Sequence, residues 1–390
     1  MNFMRVALIT VEGGGISSVC YGLAYNLSKK KIRTTIFTQT SGKREVEKLN
    51  EFLDVNRLYH FDIPPRSLWF QMQNFRFLSK AFKDYTLVHG VSPDASVAFT
   101  FYKRKLRKPF IASFHAVPLS TAKSYLNVPI SSWTLAEFAH HILEYPLHDF
   151  TIRRCIADAD HIITCSCTTL NEFRVAYKDL SLEKTSVIYN SLNFDEIEDT
   201  KIPYDSRNEQ SGPSIIFAGR LFWLKGPMYL LKAFKMLKED FKDINLKIFG
   251  KGPEENRMNR FISEAGLKNY VHFYGRVPHK NLIAEIKKSD VAVLPSVYEA
   301  QSMFALEAMA CKKPLITFNI PSTREIIEDG RNGFLAKAFD VKDFAYKIGL
   351  VLSDRKLRLK IGQNAYIYVK REHNWEIQIE KYLNIYKTVI

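Results

Sequence analysis

Short apolar runs alternate with amphipathic stretches along most of this chain. The apolar runs, such as VALI near the N-terminus and IIFA near the middle, have the length of strands that are buried on both faces. The amphipathic stretches repeat their apolar positions at helical spacing. Strands that alternate with helices in this way pair in parallel, with helices covering both faces of the sheet. The pattern therefore predicts an α/β protein.

Two series of elements are expected, one in each half of the chain. In the first series, strands are predicted at residues 5–11, 34–38, 86–89, 109–115, 161–165 and 186–189, and helices at 16–30 and 132–156. In the second series, strands are predicted at 214–218, 245–249, 271–274, 291–294 and 314–317, and helices at 227–239, 253–265, 280–288 and 302–310. Each series has the order of a doubly wound sheet.

The length of 390 residues is that of two domains rather than one. The polar segment 192–213 contains no apolar run and predicts an interdomain linker. We therefore expect two Rossmann-like domains, at residues 1–194 and 205–373, that face each other across a deep cleft. The C-terminal helix, 374–390, carries apolar residues at helical spacing and is expected to pack back on the first domain.

Two glutamates, Glu299 and Glu307, follow the predicted strand 291–294. Eight residues on one helix turn through about 80° beyond full turns, so the two carboxylates meet most easily if Glu299 lies in the loop and Glu307 in the helix. Their flanks, VAVLPS and LEAMAC, are apolar, and a buried unpaired carboxylate is costly. A functional pair is therefore expected. The alternative is that Ser296 and Glu299 form a capping box and that Glu307 is a solvated helix residue.

Two cations, Arg220 and Lys225, lie between the predicted strand 214–218 and a helix that begins near Pro227. Both would project from the carboxyl end of the sheet, where fixed cations and helix N-termini bind phosphate. The neighbouring glycines, Gly219 and Gly226, allow close approach of the backbone. Ordinary surface cations on a basic protein are the alternative.

Further candidates lie in the first half of the chain. The Gly13-Gly14-Gly15 loop ends the first strand and opens a helix, so that a phosphate or a sugar could approach its backbone. His115 ends a strand at the same edge. The pair Cys165 and Cys167 is placed on one face of a strand, and no second Cys or His pair stands at metal spacing. No metal site is expected.

Taken together, these motifs resemble the retaining glycosyltransferases of the GT-B fold, and most closely glycosyltransferase family 4. The resemblance spans nearly the whole chain and is most specific in five segments. These are FAGRLFWLKG, IFGKGPE, YGRVPHKNL, the double-glutamate stretch and REIIEDGRNGFL. One departure is the run Ala300-Gln301-Ser302, where the family usually has Gly-Phe-Gly or a similar run, so the donor-sugar pocket has a different shape. The segment 190–193, Asn-Ser-Leu-Asn, also departs from the usual Asn-Gly-Val-Asp.

The resemblance implies a nucleoside-diphosphate sugar as co-substrate, no cofactor, and no protein nucleophile. By this resemblance Arg220 and Lys225 bind the diphosphate, and Glu307 binds the ribose. The sugar is bound by His115 and by Glu299 together with the amides of Gln301, Ser302 and Met303. Gly14 and Gly15 approach the donor phosphate region, and Gly252 and Val277 lie near the base. The expected activity is metal-independent transfer of a hexose or related sugar to a glycan, with a lipid-linked acceptor as one option. A nucleotide-sugar epimerase and a non-catalytic partner subunit are the rival functions.

Charge and cysteine usage bear on location. The five cysteines suit a reducing cytosol, so a cytoplasmic protein is expected. Residues 1–124 carry 19 Lys and Arg against 8 Asp and Glu. The basic stretch 102–109 and the aromatic stretch 67–82 would suit a peripheral contact with an anionic membrane. Equally, Phe70, Phe77, Leu78 and Phe82 would simply pack on the core. Nucleic acid is not expected, since no binding-module signature accompanies the basic patch.

Overall fold

A computed structural model describes residues 4–11, 14–59, 66–92, 103, 106–117, 145–178, 182–202 and 212–390. The chain divides into two compact units. One consists of Met1–Ser191 together with Trp375–Ile390, and the other is Leu192–Asn374. Each unit contains a mainly parallel sheet, which confirms the prediction of an α/β protein with two Rossmann-like sheets.

The first unit is built on an eight-stranded sheet in the order β3-β4-β2-β1-β5-β6-β7-β8. Its strands are β1 (Arg5–Ile9), β2 (Arg33–Thr40), β3 (Glu45–Asn50), β4 (Leu53–Tyr59), β5 (Leu87–Gly90), β6 (Phe110–Phe114), β7 (His161–Thr164) and β8 (Thr185–Val187). All neighbours pair in parallel except β3 and β4, which form an antiparallel edge. The chain winds outward in both directions from β1, so the switch point of the sheet lies between β1 and β5.

Five helices of the first unit are described. They are α1 (Gly14–Lys29), α2 (Arg66–Ala81), α3 (Tyr145–Asp158), α4 (Cys167–Ala176) and the C-terminal α13 (Trp375–Val389). Helix α13 packs against α1, and the contact depends on Gly22: a Cβ atom there would lie 2.6 Å from Nε1 of Trp375. The C-terminal helix is therefore part of the first unit although the second unit precedes it in sequence.

Helix α13 is also joined to the sheet through a buried histidine. Nδ1 of His89 on β5 lies 2.7 Å from the Tyr386 hydroxyl, and Nε2 lies 2.7 Å from the Ser113 hydroxyl on β6. Burial lowers the pKa of His89 to about 3, so the ring is neutral in the folded protein. A neutral imidazole donates through one nitrogen and accepts through the other, which the two hydroxyls can both satisfy.

The structure corrects one expectation in this unit, adds a hairpin, and describes only part of a third predicted element. The predicted strand 161–165 ends at Thr164, because Ser166 caps α4 by accepting the Thr169 amide at 3.0 Å; Cys165 is buried and Cys167 opens the helix. The β3–β4 hairpin was not predicted from the sequence. The predicted helix at 132–156 coincides with α3 from Tyr145 onward, and residues 132–144 lie outside the described part.

The aromatic helix packs on the core. Phe70, Leu78 and Phe82 are buried in the core of the first unit, and Phe77 packs against it. Arg44 covers the Phe77 ring at 3.8 Å from its centroid. For these four side chains the structure therefore agrees with the alternative of core packing.

The second unit has a six-stranded, fully parallel sheet in the order β11-β10-β9-β12-β13-β14. Its strands are β9 (Ser214–Ala218), β10 (Asn245–Phe249), β11 (Val271–Gly275), β12 (Val291–Leu294), β13 (Leu315–Phe318) and β14 (Phe334–Ala336). Its helices are α5 (Phe194–Asp199), α6 (Pro227–Asp240), α7 (Glu255–Glu264), α8 (His279–Lys288), α9 (Met303–Ala310), α10 (Pro321–Arg324), α11 (Val341–Ser353) and α12 (Arg355–Glu372). The switch point lies between β9 and β12.

The expected linker is partly structured. Leu192, Phe194 and Ile197 are buried in the core of the second unit, and the last two lie on α5. The Leu192 amide also donates to the His373 carbonyl at 2.9 Å. Phe194 and Ile197, three residues apart, anchor this six-residue helix in the core, although the composition of the segment is mainly polar.

Candidate functional site

The loops that follow β9 and β12 meet at the switch point of the second sheet. The Val297 amide donates to the Leu224 carbonyl at 2.8 Å and joins the two loops. Gly226 has φ +67°, and a Cβ atom there would lie 1.9 Å from the Pro295 carbonyl oxygen. Only glycine permits this approach, because the backbone is left-handed and the neighbouring atom is backbone. The close packing of the two loops therefore depends on glycine at position 226.

An ion pair joins these loops. Nζ of Lys225, at the end of the short 3₁₀ turn Trp223–Lys225, contacts Oε1 of Glu299. The fully buried Ser296 hydroxyl donates to the same oxygen at 2.9 Å. Only 7% of the Glu299 side chain is exposed, so the lysine and the serine satisfy a carboxylate that would otherwise be costly to bury. Both contacts use Oε1, which leaves Oε2 without a partner among the described residues.

The second glutamate is also buried and paired. Glu307 lies on α9, as expected, and 8% of its side chain is exposed. Nε2 of His279, the first residue of α8, lies 3.0 Å from Oε1 of Glu307. The other ring nitrogen, Nδ1, lies 3.2 Å from Oε1 of Glu196 on α5. The hydrogen bond to Glu307 is the main cause that raises the pKa of His279 to about 9, so the imidazole is protonated at neutral pH.

The N-terminus of α9 lies directly between the two glutamates in sequence. Ser302 is its N-cap and accepts the Ala305 amide at 3.3 Å. Gln301 and Met303 flank the cap and are half-buried. Ser296 and Glu299 are therefore not the capping pair of this helix, and the alternative of a capping box is wrong. Amide groups at a helix N-terminus attract oxygen ligands and negative charge.

Arg220, Gly252 and Val277 occupy neighbouring strand ends of the same sheet. Arg220 follows β9, is exposed, and lies over the Phe222 ring at 5.6 Å. The Gly252 amide donates to a Glu255 carboxylate oxygen at 2.7 Å, and a Cβ atom at this glycine would lie 2.2 Å from the Leu221 carbonyl oxygen. Val277 is half-buried against the core. All three residues follow the carboxyl ends of parallel strands.

The other three candidates lie in the first unit. Gly14 has φ +82° and is the first residue of α1, the helix that comes after β1 in sequence, and the exposed Gly15 lies beside it. His115 follows β6, and burial lowers its pKa to about 4, against the opposing effect of the Val91 backbone and the Asn190 side chain. Its imidazole is neutral at physiological pH. It therefore suits hydrogen bonding to a hydroxyl better than pairing with a phosphate.

The structure brings Lys225 and Glu299 into contact and places Glu307 on the helix that follows. Sequence reasoning did not identify Ser296, Glu196 or His279 as members of the site. The serine was visible as a neighbour of Glu299, but it was considered only as part of the alternative, a capping box. The histidine stands in the segment YGRVPHKNL, yet its partners are 28 and 83 residues away. No local periodicity signals such contacts.

Solved structures share this fold over the whole chain. Sucrose-phosphate synthase from Thermosynechococcus elongatus is similar with a TM-score of 0.80 at 19% identity, covering 99% of this chain and 98% of that chain. HepE of Anabaena, in complex with UDP and glucose, is similar with a TM-score of 0.77 at 16% identity, covering 99% and 100%. The two Rossmann-like sheets of this chain therefore have the GT-B fold of these structures.

Sequence comparison assigns the family. Residues 13–196 match the model described as Glycosyltransferase Family 4, and residues 199–368 match Glycosyl transferases group 1. The two matches together reach from residue 13 to residue 368, which assigns the chain to the glycosyltransferases and confirms the resemblance to glycosyltransferase family 4. An uncharacterized glycosyltransferase of Methanocaldococcus jannaschii is 25% identical over 98% of both chains. Glycogen synthase of Mycobacterium tuberculosis is 26% identical over 68% of this chain and 62% of its own length.

Proposed function

We propose that this glycosyltransferase is a retaining, metal-independent hexosyltransferase that uses a nucleoside-diphosphate sugar and a glycan acceptor. The observation that carries the proposal is the Lys225–Glu299 pair at the switch point of the second sheet. A cation and a carboxylate side by side provide one group for a diphosphate and one for sugar hydroxyls. A neighbour of the same fold is in complex with UDP and glucose, which supports a nucleotide-sugar donor.

In the proposed reaction the bond between the anomeric carbon and the diphosphate oxygen breaks, and a bond to the acceptor oxygen forms on the same face. Arg220 and Lys225 stabilise the negative charge that develops on the diphosphate. Glu299 orients the donor sugar, Glu307 binds the ribose, and His115 hydrogen-bonds a sugar hydroxyl. The departing phosphate oxygen takes the proton of the acceptor hydroxyl. No protein group has to form a covalent bond to the sugar.

The remaining site residues complete the donor pocket in this proposal. The amides at Gln301, Ser302 and Met303 bind sugar hydroxyls at the N-terminus of α9. The backbone groups of Gly14 and Gly15 are assigned to the donor phosphate region. Those of Gly252 and Val277 are assigned to the base.

A donor panel tests the proposal. The protein is incubated with UDP-glucose, GDP-mannose and ADP-glucose, with and without short glucan and mannan acceptors, and nucleotide release is measured. Acceptor-dependent release from one donor supports a transferase, and proton NMR of the product gives the configuration of the new bond. Interconversion of the donor sugar without acceptor would instead support the epimerase. A non-catalytic partner subunit would release no nucleotide from any donor, although all four residues Arg220, Lys225, Glu299 and Glu307 are present.

A lipid-linked acceptor at the cytoplasmic membrane face is the narrower form of the proposal. None of the described helices has the length and apolar character to cross a bilayer. Support for a peripheral contact now comes from charge alone, since the aromatic side chains of α2 that the structure describes pack on the core. Flotation with phosphatidylcholine vesicles, with and without phosphatidylserine, tests this form. Binding that needs phosphatidylserine and is lost when Lys103, Arg107 and Lys108 become glutamate would support it.

A further inference from the structure

His279 is the middle member of a three-residue charge network in the second unit, between the buried Glu307 and the exposed Glu196. Its ring bridges Glu307 on α9 and Glu196 on α5, and these two helices pack together. Helix α8, which begins at His279, also packs on α9. Three elements that are distant in sequence thus converge on one imidazole. Nothing in the core packing of these helices requires a histidine at this position, because 45% of its side chain is exposed.

The geometry fixes the protonation state of the ring. Each of its nitrogens faces a carboxylate oxygen, at 3.0 Å for Glu307 and 3.2 Å for Glu196. An ionised carboxylate only accepts hydrogen bonds, and a neutral imidazole has only one N–H to donate. Both contacts are therefore hydrogen bonds only when the ring is the doubly protonated cation. The pKa of His279, raised to about 9 chiefly by Glu307, agrees with this state.

The bridge leaves one ligand position on Glu307. The histidine uses Oε1, and Oε2 has no hydrogen-bond partner among the residues that the structure describes. A carboxylate that is held at one oxygen is already ordered. It therefore loses little further side-chain entropy when a ligand binds to its other oxygen. The free oxygen is then pre-oriented to accept from a hydroxyl. A pair of adjacent hydroxyls on a ribose is the ligand group that the proposed function assigns to this glutamate.

We propose that His279 is a positioning residue that holds the Glu307 carboxylate for the ribose hydroxyls of the nucleotide donor. The inference rests on the proposed function, because it assumes that Glu307 faces the ribose. His279 itself contacts no ligand in this account. Glu196 acts one step further out, since it satisfies the second N–H of the cation and keeps the ring turned toward Glu307.

The test uses two substitutions and a matched control. His279→Gln removes the cation and keeps a side-chain amide, whereas Glu196→Gln keeps the histidine but removes one of its two carboxylates. His272→Gln is the control, because His272 is an exposed histidine on β11 of the same unit. Dissociation constants are measured by calorimetry for UDP, GDP and ADP and for their 2′,3′-dideoxy counterparts. Thermal unfolding verifies that each variant is folded.

We expect His279→Gln to raise the dissociation constant of the best-binding nucleotide on the order of tenfold, which corresponds to the loss of a hydrogen bond to a charged group. The same substitution should leave the dideoxy nucleotide within about twofold, because no ribose hydroxyl is present for Glu307 to accept. The control should bind both as wild type does. Equal loss for the ribose and dideoxy forms would show a general structural defect and would overturn the inference, as would unchanged binding of the ribose form.

The pH dependence gives an independent measure. The ratio of the His279→Gln and wild-type dissociation constants should shrink as pH rises through about 9, where the imidazole loses its proton. Using the ratio cancels titration of the nucleotide itself. For Glu196→Gln this transition should move to lower pH, because one of the carboxylates that raise the pKa is gone. A ratio independent of pH would overturn the inference. If the wild type bound none of the three nucleotides, the proposed function itself would fail, and the inference with it.

Discussion

Lys225 and Glu299 form an ion pair across two loops that follow adjacent parallel strands, β9 and β12. The residues are 74 positions apart in sequence, and the sheet order brings them together because the switch point lies between those strands. Each is tied to a second feature of its loop: Lys225 ends a 3₁₀ turn before Gly226, and Glu299 accepts from Ser296. The pair is thus held in place before any ligand arrives.

Glu299→Gln should separate sugar binding from nucleotide binding. The amide keeps the size of the side chain and loses the charge that orients sugar hydroxyls, so transfer should fall on the order of 10²-fold. The dissociation constant of the free nucleoside diphosphate should change by less than about threefold, because that ligand has no sugar for Glu299 to contact. Transfer rates and calorimetry measure the two effects, with Glu264→Gln, an exposed glutamate of α7, as control. Equal losses in both measurements would place Glu299 at the nucleotide instead.

Gly226→Ala should destabilise the protein by at least about 2 kcal/mol, since the new methyl group meets the Pro295 carbonyl oxygen and the loops must separate. The matched control is Gly266→Ala. Gly266 has φ +68°, but a Cβ atom there would find no described atom within 4 Å, so it carries only the backbone strain, about 1 kcal/mol. Urea denaturation of the two variants measures the difference. Equal free energies of unfolding would mean that the loop contact is not as close as described.

Folding stability should fall in mild acid because of His89. Its pKa is about 3 in the folded protein and near 6.5 in the unfolded chain, so the unfolded state binds a proton first as pH falls. The contribution to stability is fully present above about pH 6.5 and is lost toward pH 3, at up to about 1.4 kcal/mol per pH unit. His115, with a pKa of about 4, adds a slope of the same sign.

Urea denaturation at pH 5, 6 and 7 measures this slope. His89→Gln should be less stable at pH 7, because the Tyr386 and Ser113 hydroxyls lose a well-placed partner, but its stability should depend less steeply on pH. His272→Gln, at an exposed position, should retain the wild-type slope. A His89→Gln slope identical to that of the wild type would show that His89 titrates normally.

The C-terminal helix should contribute strongly to the stability of the first unit. Trp375→Ala removes a buried indole that fills the space above Gly22, and large-to-small changes of this kind cost about 3 to 5 kcal/mol. Ile377→Ala on the same helix is the control, because that side chain is 45% exposed and should cost less than about 1 kcal/mol. Urea denaturation of both variants, followed by far-UV circular dichroism, measures the two costs. Similar losses for the two variants would argue against the packing of α13 on α1.

The sequence predicted those parts of the fold whose signal is local. Short segments of sequence are enough to recognise the apolar runs of β9 and β12 and the amphipathic helices α6 and α13. Strand β3 was missed because its residues, EVEKLN, are polar on an exposed edge and lack the apolar run that marks a buried strand. Helix α4 was missed although Ser166 and Thr169 carried a capping signal.

In the candidate site, too, the residues with a local sequence signal were predictable and those without one were not. Glu299 and Glu307 stand in one short segment with apolar flanks, so their placement in a loop and in a helix was predictable. The hydrogen-bond partners of the two carboxylates were only partly predictable. Ser296 is three residues from Glu299, but His279 reaches Glu307 through tertiary packing of two helices, and a single sequence carries no record of such pairs.

The central claim, that the switch point of the second sheet binds the diphosphate of a sugar donor, is tested most directly at Lys225. Initial rates of acceptor-dependent nucleotide release are compared for the wild type, Lys225→Ala and the control Lys232→Ala, an exposed lysine on α6. We predict a loss in kcat on the order of 10² to 10³ for Lys225→Ala, since one charge that stabilises the leaving group is removed, and an unchanged rate for the control. A folded Lys225→Ala protein with the wild-type kcat would contradict the account.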